Sequence, residues 1–240
     1  MSVESSRWKG KFIAMRKTIQ WLVVLTLFWP TLFGVYWLMV ELYRSIDTCR
    51  FPEVSSHIVE ALEALPENPS EAEKGAILLT SVHSQLEREL DSTFGWSGND
   101  LFFMPTRYLD NRKNRQLGVL FATRMLLNLY STKMAKLGAA DPENELLKEC
   151  REKRLVYGAD IWGFFRPSAE GEYERAVKLM NEYKEELAAG EAEYNVRTDD
   201  IYVALELIIG EEFLGHSLGL LVQTNDEVAL SDLDDRIFYA

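Results

Sequence analysis

The feature that most constrains this chain is a run without charged side chains, residues 18–40. Twenty of these residues, 21–40, rise about 30 Å as an α-helix at roughly 1.5 Å per residue, which matches the hydrocarbon core of a bilayer. A single span in lipid satisfies its backbone hydrogen bonds only as a helix. Trp21 and Trp37 lie near its ends, as interfacial aromatic side chains do, and Pro30 near the middle predicts a kink. The run therefore predicts one transmembrane helix.

The charges on either side of the run predict its orientation. Five Lys and Arg side chains and one acid precede residue 18, whereas residues 41–60 carry only Arg44 and Arg50 as basic side chains. The positive-inside rule then places the N-terminus in the cytoplasm and the rest of the chain outside it. A cleaved signal peptide would have a shorter apolar core and a small-residue cleavage site, which residues 40–43, VELY, do not offer. We therefore expect a retained signal anchor.

The domain beyond the run is acidic and contains two cysteines. Five of the 26 basic and one of the 38 acidic residues precede the run, so the remainder carries a formal charge of about −16. Such a charge repels nucleic acid and argues against a DNA or RNA partner. In an oxidising compartment Cys49 and Cys150 could form a disulfide, although spacing alone does not distinguish a bridge from two separate thiols.

The rest of the sequence predicts an all-α protein. It shows helical periodicity without a convincing series of strands, which indicates a bundle of about six helices on one anchor. We predict a basic cytoplasmic arm (residues 1–17), the anchor (18–40), a connection (41–54) and an acidic helical domain (55–240).

The helix boundaries are predicted from capping signals. Ser70 and Glu73 form a capping box that opens one helix, and Asp141, with a proline after it, predicts the N-cap of a later one. Residues 170–189, rich in Glu and Lys and followed by Gly190, predict a charged helix on the outside of the bundle. Further helices are predicted over residues 55–65, 110–136 and 198–222.

Two aromatic segments interrupt the helices, residues 91–105 and 157–167. Each mixes glycine with large apolar side chains, so it is either a turn that caps the core or an exposed functional loop. We favour core packing for both segments; contact with a partner or with the bilayer surface are the alternatives for the second. The aromatic residues concerned are Phe94, Trp96, Phe102, Phe103, Trp162, Phe164 and Phe165.

The sequence contains no strong catalytic motif. It lacks the G-x-S-x-G, H-E-x-x-H and Walker patterns, and we predict no cofactor. Glu212 and His216 are one helical turn apart, which makes them weak candidates for metal ligands without a third partner. An enzyme or ligand site, if the chain has one, is expected in the first aromatic segment and the polar start of the next helix. Its candidate residues are Asp91, Phe94, Trp96, Asn99, Asp100, Asp110, Asn111, Arg112 and Arg115.

Three runs resemble a bacterial family known as domain of unknown function 2333: LERELDSTFGWSGNDL, YLDNRKNRQLGVL and NDEVALSDLDDRIFYA. The resemblance implies a single-span inner-membrane protein with a periplasmic domain, and it implies no activity or cofactor. It also implies that the family continues beyond the stretch that ends here at residue 240. The family's distinctive residues map onto Asp91, Phe94, Gly95, Trp96, Asn99, Asp100, Asp110, Asn111, Arg112 and Arg115.

These observations favour a non-catalytic interaction or assembly subunit anchored in the membrane. Its expected partners are the lipid bilayer and other membrane or periplasmic proteins, and self-association is compatible with the sequence. One alternative is a cell-envelope enzyme or ligand-binding protein with a site near residues 91–115. Another is a transport or secretion accessory that acts through its span.

Overall fold

A computed structural model describes residues 17, 20–21, 26–45, 56–92, 94–138 and 140–210. Within these ranges the protein is built from seven α-helices and contains no strands, which confirms the predicted all-α class. The helices are α1 (residues 26–45), α2 (Ser56–Glu63), α3 (Glu71–Leu90), α4 (Asp110–Leu129), α5 (Glu145–Glu149), α6 (Ala169–Ala189) and α7 (Thr198–Ile209).

The predicted transmembrane helix is only partly covered by the structure. Residues 18–19 and 22–25 of the run lie outside the described residues, and α1 covers its second half without a break at Pro30. None of the helices in the described ranges is long and apolar enough to cross a membrane. Residues 1–16, 46–55 and 211–240 are also outside the described part, so the predicted domain boundaries stay predictions.

The core forms mainly between α3 and α6, which make the most extensive contact, with α4 packed on α3. Leu79 and Leu86 of α3 and Leu120 of α4 are buried in one hydrophobic cluster with Tyr173 and Met180 of α6. The prediction that α6 is a solvated outer helix is therefore wrong. Its apolar residues recur at helical spacing and form one complete buried stripe, while its Glu and Lys residues lie mostly on the other face.

Two of the predicted helix ends are confirmed. The Ser70 side chain accepts a hydrogen bond from the backbone N–H of Glu73, whose carboxylate in turn accepts from the backbone N–H of Ser70, completing the capping box of α3. Gly190 follows α6 with φ of 74°, a left-handed conformation that glycine adopts without steric cost.

The predicted N-cap at Asp141 is wrong. The Asp141 carboxylate instead accepts a hydrogen bond from the backbone N–H of Gly138, 2.6 Å away, and closes the preceding turn. Asn144 caps α5, because its Oδ1 accepts a hydrogen bond from the backbone N–H of Leu146 at 2.9 Å.

Both α4 and α5 continue into a single π-helical turn, Tyr130–Met134 and Cys150–Arg154 respectively. The Cys150 thiol is buried 3.5 Å from the carbonyl oxygen of Ala176, and burial raises its pKa to about 12. Cys49 lies outside the described residues, so the Cys49–Cys150 disulfide stays a prediction.

Candidate functional site

The last turns of α1 lie against the segment between α3 and α4, residues 91–109, which we call the first aromatic loop. The ring of Tyr43 meets the ring of Phe94 edge to face with 4.8 Å between centres, and Tyr36 meets Tyr108 at 6.1 Å. Val40, between the two tyrosines, is fully buried. The loop therefore forms the surface on which the end of α1 rests.

The base of the first aromatic loop is held by Arg112, the third residue of α4. Its side chain is only 3% exposed, and its guanidinium donates hydrogen bonds to Ser92 Oγ and, over 2.7 Å, to the carbonyl oxygen of Gly95. The guanidinium carbon also lies 5.4 Å from the centre of the Phe94 ring, within the range of a cation–π contact. Gly95 has φ of 57°, so this turn favours glycine.

Gln116 adds a second set of hydrogen bonds to the same loop. Its Oε1 accepts from the backbone N–H and the hydroxyl of Ser97, at 3.0 and 2.8 Å, and its Nε2 donates to the carbonyl oxygen of Gly95 at 2.9 Å. Sequence reasoning missed Gln116 and Ser97. The available signal was helical spacing, because Gln116 lies four residues after Arg112 and therefore on the same face of α4.

Arg115, three residues after Arg112 in α4, pairs with α3. Its Nε lies 3.0 Å from Glu89 Oε1, and both side chains are largely buried. Glu89 is another residue that sequence reasoning missed, since a glutamate near the end of an amphipathic helix ordinarily faces water. The pair ties the polar start of α4 to the last turn of α3 and leaves Arg115 already engaged.

The outer turn of the first aromatic loop is closed around Asp100. Its carboxylate accepts a hydrogen bond from Thr106 Oγ1, and its carbonyl oxygen accepts one from Arg107 over 2.7 Å. Burial raises the pKa of Asp100 above its usual range, although the hydrogen bond from Thr106 acts in the opposite direction. Asp91 and Asp110 do not join this cluster; both are exposed at the end of α3 and the start of α4, and Asn111 follows Asp110 in the first turn of α4.

The second aromatic loop, residues 157–167, is joined to the first by two hydrogen bonds. The indole N–H of Trp96 donates to the carbonyl oxygen of Ala159 at 2.9 Å, and Asn99 Nδ2 donates to the carbonyl oxygen of Ile161 at 3.2 Å. The Trp96 ring is buried edge-on against Tyr173 of α6, with 4.9 Å between ring centres. For Trp96 the prediction of core packing is confirmed.

For five of the other aromatic residues that the sequence predicts to pack in the core, the prediction is wrong. Their exposed fractions range from 42% to 95%, so their side chains lie outside the core. The exposed residues are Phe102, Phe103, Trp162, Phe164 and Phe165, while Phe94 is half-buried.

The polar residues in the first aromatic loop and at the start of α4 mainly form hydrogen bonds with each other and with the backbone. Arg112, Gln116 and Asp100 hold the loop's own turns, and Asn99 holds the neighbouring loop. These hydrogen bonds fix the backbone conformation of the two loops.

The described part of the chain contains no group of three or more His, Cys, Asp or Glu residues placed to hold a metal ion. The weak candidates Glu212 and His216 lie outside that part. His83 of α3 is buried, and neither ring nitrogen has a hydrogen-bond partner, although Glu87 Oε2 lies 3.4 Å from Nδ1. Burial and the nearby Lys184 lower the pKa of His83 to about 4, so the ring is neutral at pH 7.

Comparison with known proteins identifies a family. A family model described as "Uncharacterized protein conserved in bacteria (DUF2333)" matches residues 14–232, which is most of the chain. No curated protein and no solved structure matches the chain. The chain therefore belongs to this bacterial family, as the sequence resemblance indicated.

Proposed function

We propose that this member of the family is a membrane-anchored, non-catalytic interaction or assembly subunit of a bacterial inner-membrane complex, with its helical domain in the periplasm. The observation that carries the proposal is the exposure of α1. Ten of its large apolar side chains are between 42% and 70% exposed, while its last turns rest on the first aromatic loop. These residues are Leu27, Phe28, Trp29, Leu32, Phe33, Val35, Trp37, Leu38, Met39 and Leu42.

The exposed side chains of α1 lie on all sides of the helix and do not form one stripe. A helix that is apolar all round is stable where it is surrounded by protein core or by lipid. Removing one large apolar side chain from water contributes about 1.5–3 kcal/mol, so ten such side chains provide a strong tendency to leave water. A bilayer around α1 satisfies this tendency and leaves the folded domain at the membrane surface.

The orientation in the proposal rests on the charge bias around residues 18–40. A C-terminal fusion to alkaline phosphatase, which is active only after export, should be active, and the matching fusion to a fluorescent protein that folds only in the cytoplasm should be dark. The reverse pattern would contradict the periplasmic location without affecting the anchor.

The non-catalytic part of the proposal is supported by the first aromatic loop. The alternative of an envelope enzyme or ligand-binding protein requires polar groups that converge on a ligand. Arg112 and Gln116 instead donate to the same carbonyl oxygen, that of Gly95, and Arg115 pairs with Glu89. These groups have a structural task already, and occupying them with a ligand would break the bonds that hold the loop.

The direct test is the native mass of the full chain after gentle detergent extraction from its own membrane, with the accompanying proteins identified. We expect a discrete assembly larger than a monomer that contains the same partner in repeated preparations. A monomer without any partner would contradict the proposal. A variant whose residues 18–35 are replaced by an unrelated apolar segment is the control, because it keeps Tyr36 and Val40 at the contact with the first aromatic loop. It should keep the partner, whereas loss of the partner would favour the transport-accessory alternative, in which the span itself makes the contact.

A further inference from the structure

We propose that the exposed tips of the two aromatic loops insert into the membrane interface beside α1 and hold the domain against the bilayer surface. The inference deepens the proposed function and rests on α1 being a membrane anchor. The ligand is the boundary between lipid headgroups and acyl chains, and the inserting residues are Phe102, Phe103, Trp162, Phe164 and Phe165.

The first step is the height of the first aromatic loop relative to the apolar run. Tyr36 is four residues before the end of that run, or about 6 Å along a helix that rises 1.5 Å per residue. Its ring contacts Tyr108, and the Tyr108 hydroxyl donates a hydrogen bond of 2.8 Å to the carbonyl oxygen of Phe102. When α1 is in a bilayer, Phe102 therefore lies at the level of the outer membrane–water boundary.

The second step is that the other aromatic loop lies at the same end of the bundle. The hydrogen bond from Asn99 to the carbonyl oxygen of Ile161 joins the two loops immediately before Trp162. Beyond that point Trp162 stacks on Phe164 at 5.5 Å between ring centres, and Phe164 meets Phe165 at 4.6 Å. The three rings form one apolar tip next to the first loop.

The third step is charge. The chain beyond residue 17 carries about −16, which anionic headgroups repel. The two loops carry little of this charge: the first has Asp91 and Asp100 against Arg107, a formal −1, and the second has Asp160 against Arg166, a formal zero. Both arginines are exposed, so they can meet lipid phosphates while the rings enter the interface. Loops with almost no net charge on an acidic domain fit a membrane surface.

The residue types also favour lipid over a protein partner. Tryptophan prefers the headgroup level of a bilayer, and phenylalanine is common on the apolar side of membrane-surface segments. The tip is in addition continuous with α1 through the contact between Tyr36 and Tyr108, so the same apolar phase can cover both.

The test uses the full chain, reconstituted into vesicles of phosphatidylethanolamine and phosphatidylglycerol, with a fluorophore on a single introduced cysteine. Phe165 is 95% exposed, so Phe165→Cys should leave the fold unchanged. Leu137→Cys is the matched control, because Leu137 is exposed beyond the far end of α4, whose 20 residues span about 30 Å. Leu32→Cys reports on the anchor. All three carry Cys49→Ser, and the buried Cys150 reacts slowly.

Quenching by a spin label near the lipid headgroup distinguishes the outcomes. We expect severalfold stronger quenching at position 165 than at position 137, with a blue-shifted emission. Quenching at position 32 by a spin label deep in the acyl chains, with position 165 quenched no more than position 137, would overturn the inference and leave the anchor intact. If position 32 is not quenched, the proposed anchor fails as well.

A second quencher separates lipid from protein. Aqueous iodide should reach position 165 in detergent-solubilised protein and lose access after reconstitution, whereas access at position 137 should not change. Protection of position 165 from iodide without quenching by spin-labelled lipid would identify a protein surface as the occupant and would overturn the inference.

Discussion

Two helices of this protein, α1 and α6, have opposite composition and opposite burial. Only two of the 20 residues of α1 are charged, yet Val40 is its one buried residue. In α6 nine of the 21 residues are charged, yet eight of the 21 are buried and the helix is central to the core. Spacing accounts for the difference, because the apolar residues of α6 form one stripe that α3 can cover, whereas those of α1 face every direction.

The comparison separates two kinds of apolar helix. A stripe is matched by a second stripe in the same chain, and the charges on the opposite face keep the domain in solution. An all-round apolar surface cannot be matched by one neighbouring helix and requires an apolar surrounding. Overall composition therefore predicts that α1 needs an apolar surrounding, but it misplaced α6, for which only the periodic pattern of apolar residues mattered.

The largest loss of stability is expected from truncating a side chain in the buried stripe of α6. Met180→Ala should destabilise the domain by about 2–5 kcal/mol, because Met180 is fully buried and the substitution leaves a cavity. Urea or thermal unfolding of the full chain in detergent measures the change. The matched substitution in α1, Leu38→Ala, should change domain stability by less than about 0.5 kcal/mol, since Leu38 is 70% exposed. Similar losses at the two positions would break the comparison.

Acidification should destabilise the domain through His83, which is buried on α3 near Lys184 of α6. His83 has a pKa of about 4 in the folded domain against 6.5 in the unfolded chain, so the unfolded chain binds the proton more readily between these values. The neutral ring therefore contributes to the free energy of unfolding above about pH 6.5, and this contribution is lost as pH falls from about 6.5 to 4, on the order of 3 kcal/mol in total.

The variant His83→Gln isolates this contribution, because carboxylates that also titrate in acid remain in both proteins. Glu87 and Lys184 face the same site and stay unchanged. Stability of the variant should decline less between pH 6.5 and pH 4 than that of the wild type. Equal slopes would show that His83 is not kept neutral by its surroundings.

The surface that supports α1 should weaken when Arg112 is replaced. Arg112→Met removes charged hydrogen bonds to Ser92 and Gly95, each worth about 1.5–3 kcal/mol in similar contexts. Amide hydrogen exchange should become faster in the loop before Gln116, more than in the α6 stripe. Arg166→Met, at an exposed position, is the control and should leave exchange in that loop unaltered. Unchanged exchange in the Arg112 variant would argue that the loop holds its shape without this side chain.

The smallest predicted effect concerns the end of α6. Gly190→Ala should destabilise the domain by about 1 kcal/mol, because a Cβ disfavours the left-handed conformation at φ of 74°. Gly190→Asn should cost less, since asparagine tolerates that conformation. Thermal unfolding of the two variants provides the measurement, and the opposite order would contradict a conformational origin.

Much of the local structure was predictable because its signals are local. The capping box of α3 involves Ser70 and Glu73, three residues apart, and Gly190 acts within its own turn. The start of α5 was missed because two capping residues compete. Asn144 prevails through a contact with another helix: its Nδ2 donates to Glu186 Oε2 at 2.8 Å.

The sequence names the residues of the candidate region, but it does not predict how their side chains are arranged. Partners that fix its side chains lie far away in sequence: Trp96 donates to Ala159, and Arg115 pairs with Glu89. These contacts decide which aromatic residues are buried and which polar residues are engaged. Periodicity within one helix or loop carries no information on them, so the exposed tips could not be distinguished from core residues beforehand.

Alkaline extraction of membranes from cells that make the full chain tests the central claim, the anchoring of α1 in lipid, most directly. The account predicts that the chain stays with the lipid pellet at high pH, and that a variant with Leu32→Arg and Leu38→Arg in α1 is released. Release of the unaltered chain into the supernatant would contradict the account, because the exposed apolar side chains of α1 would then not be in lipid.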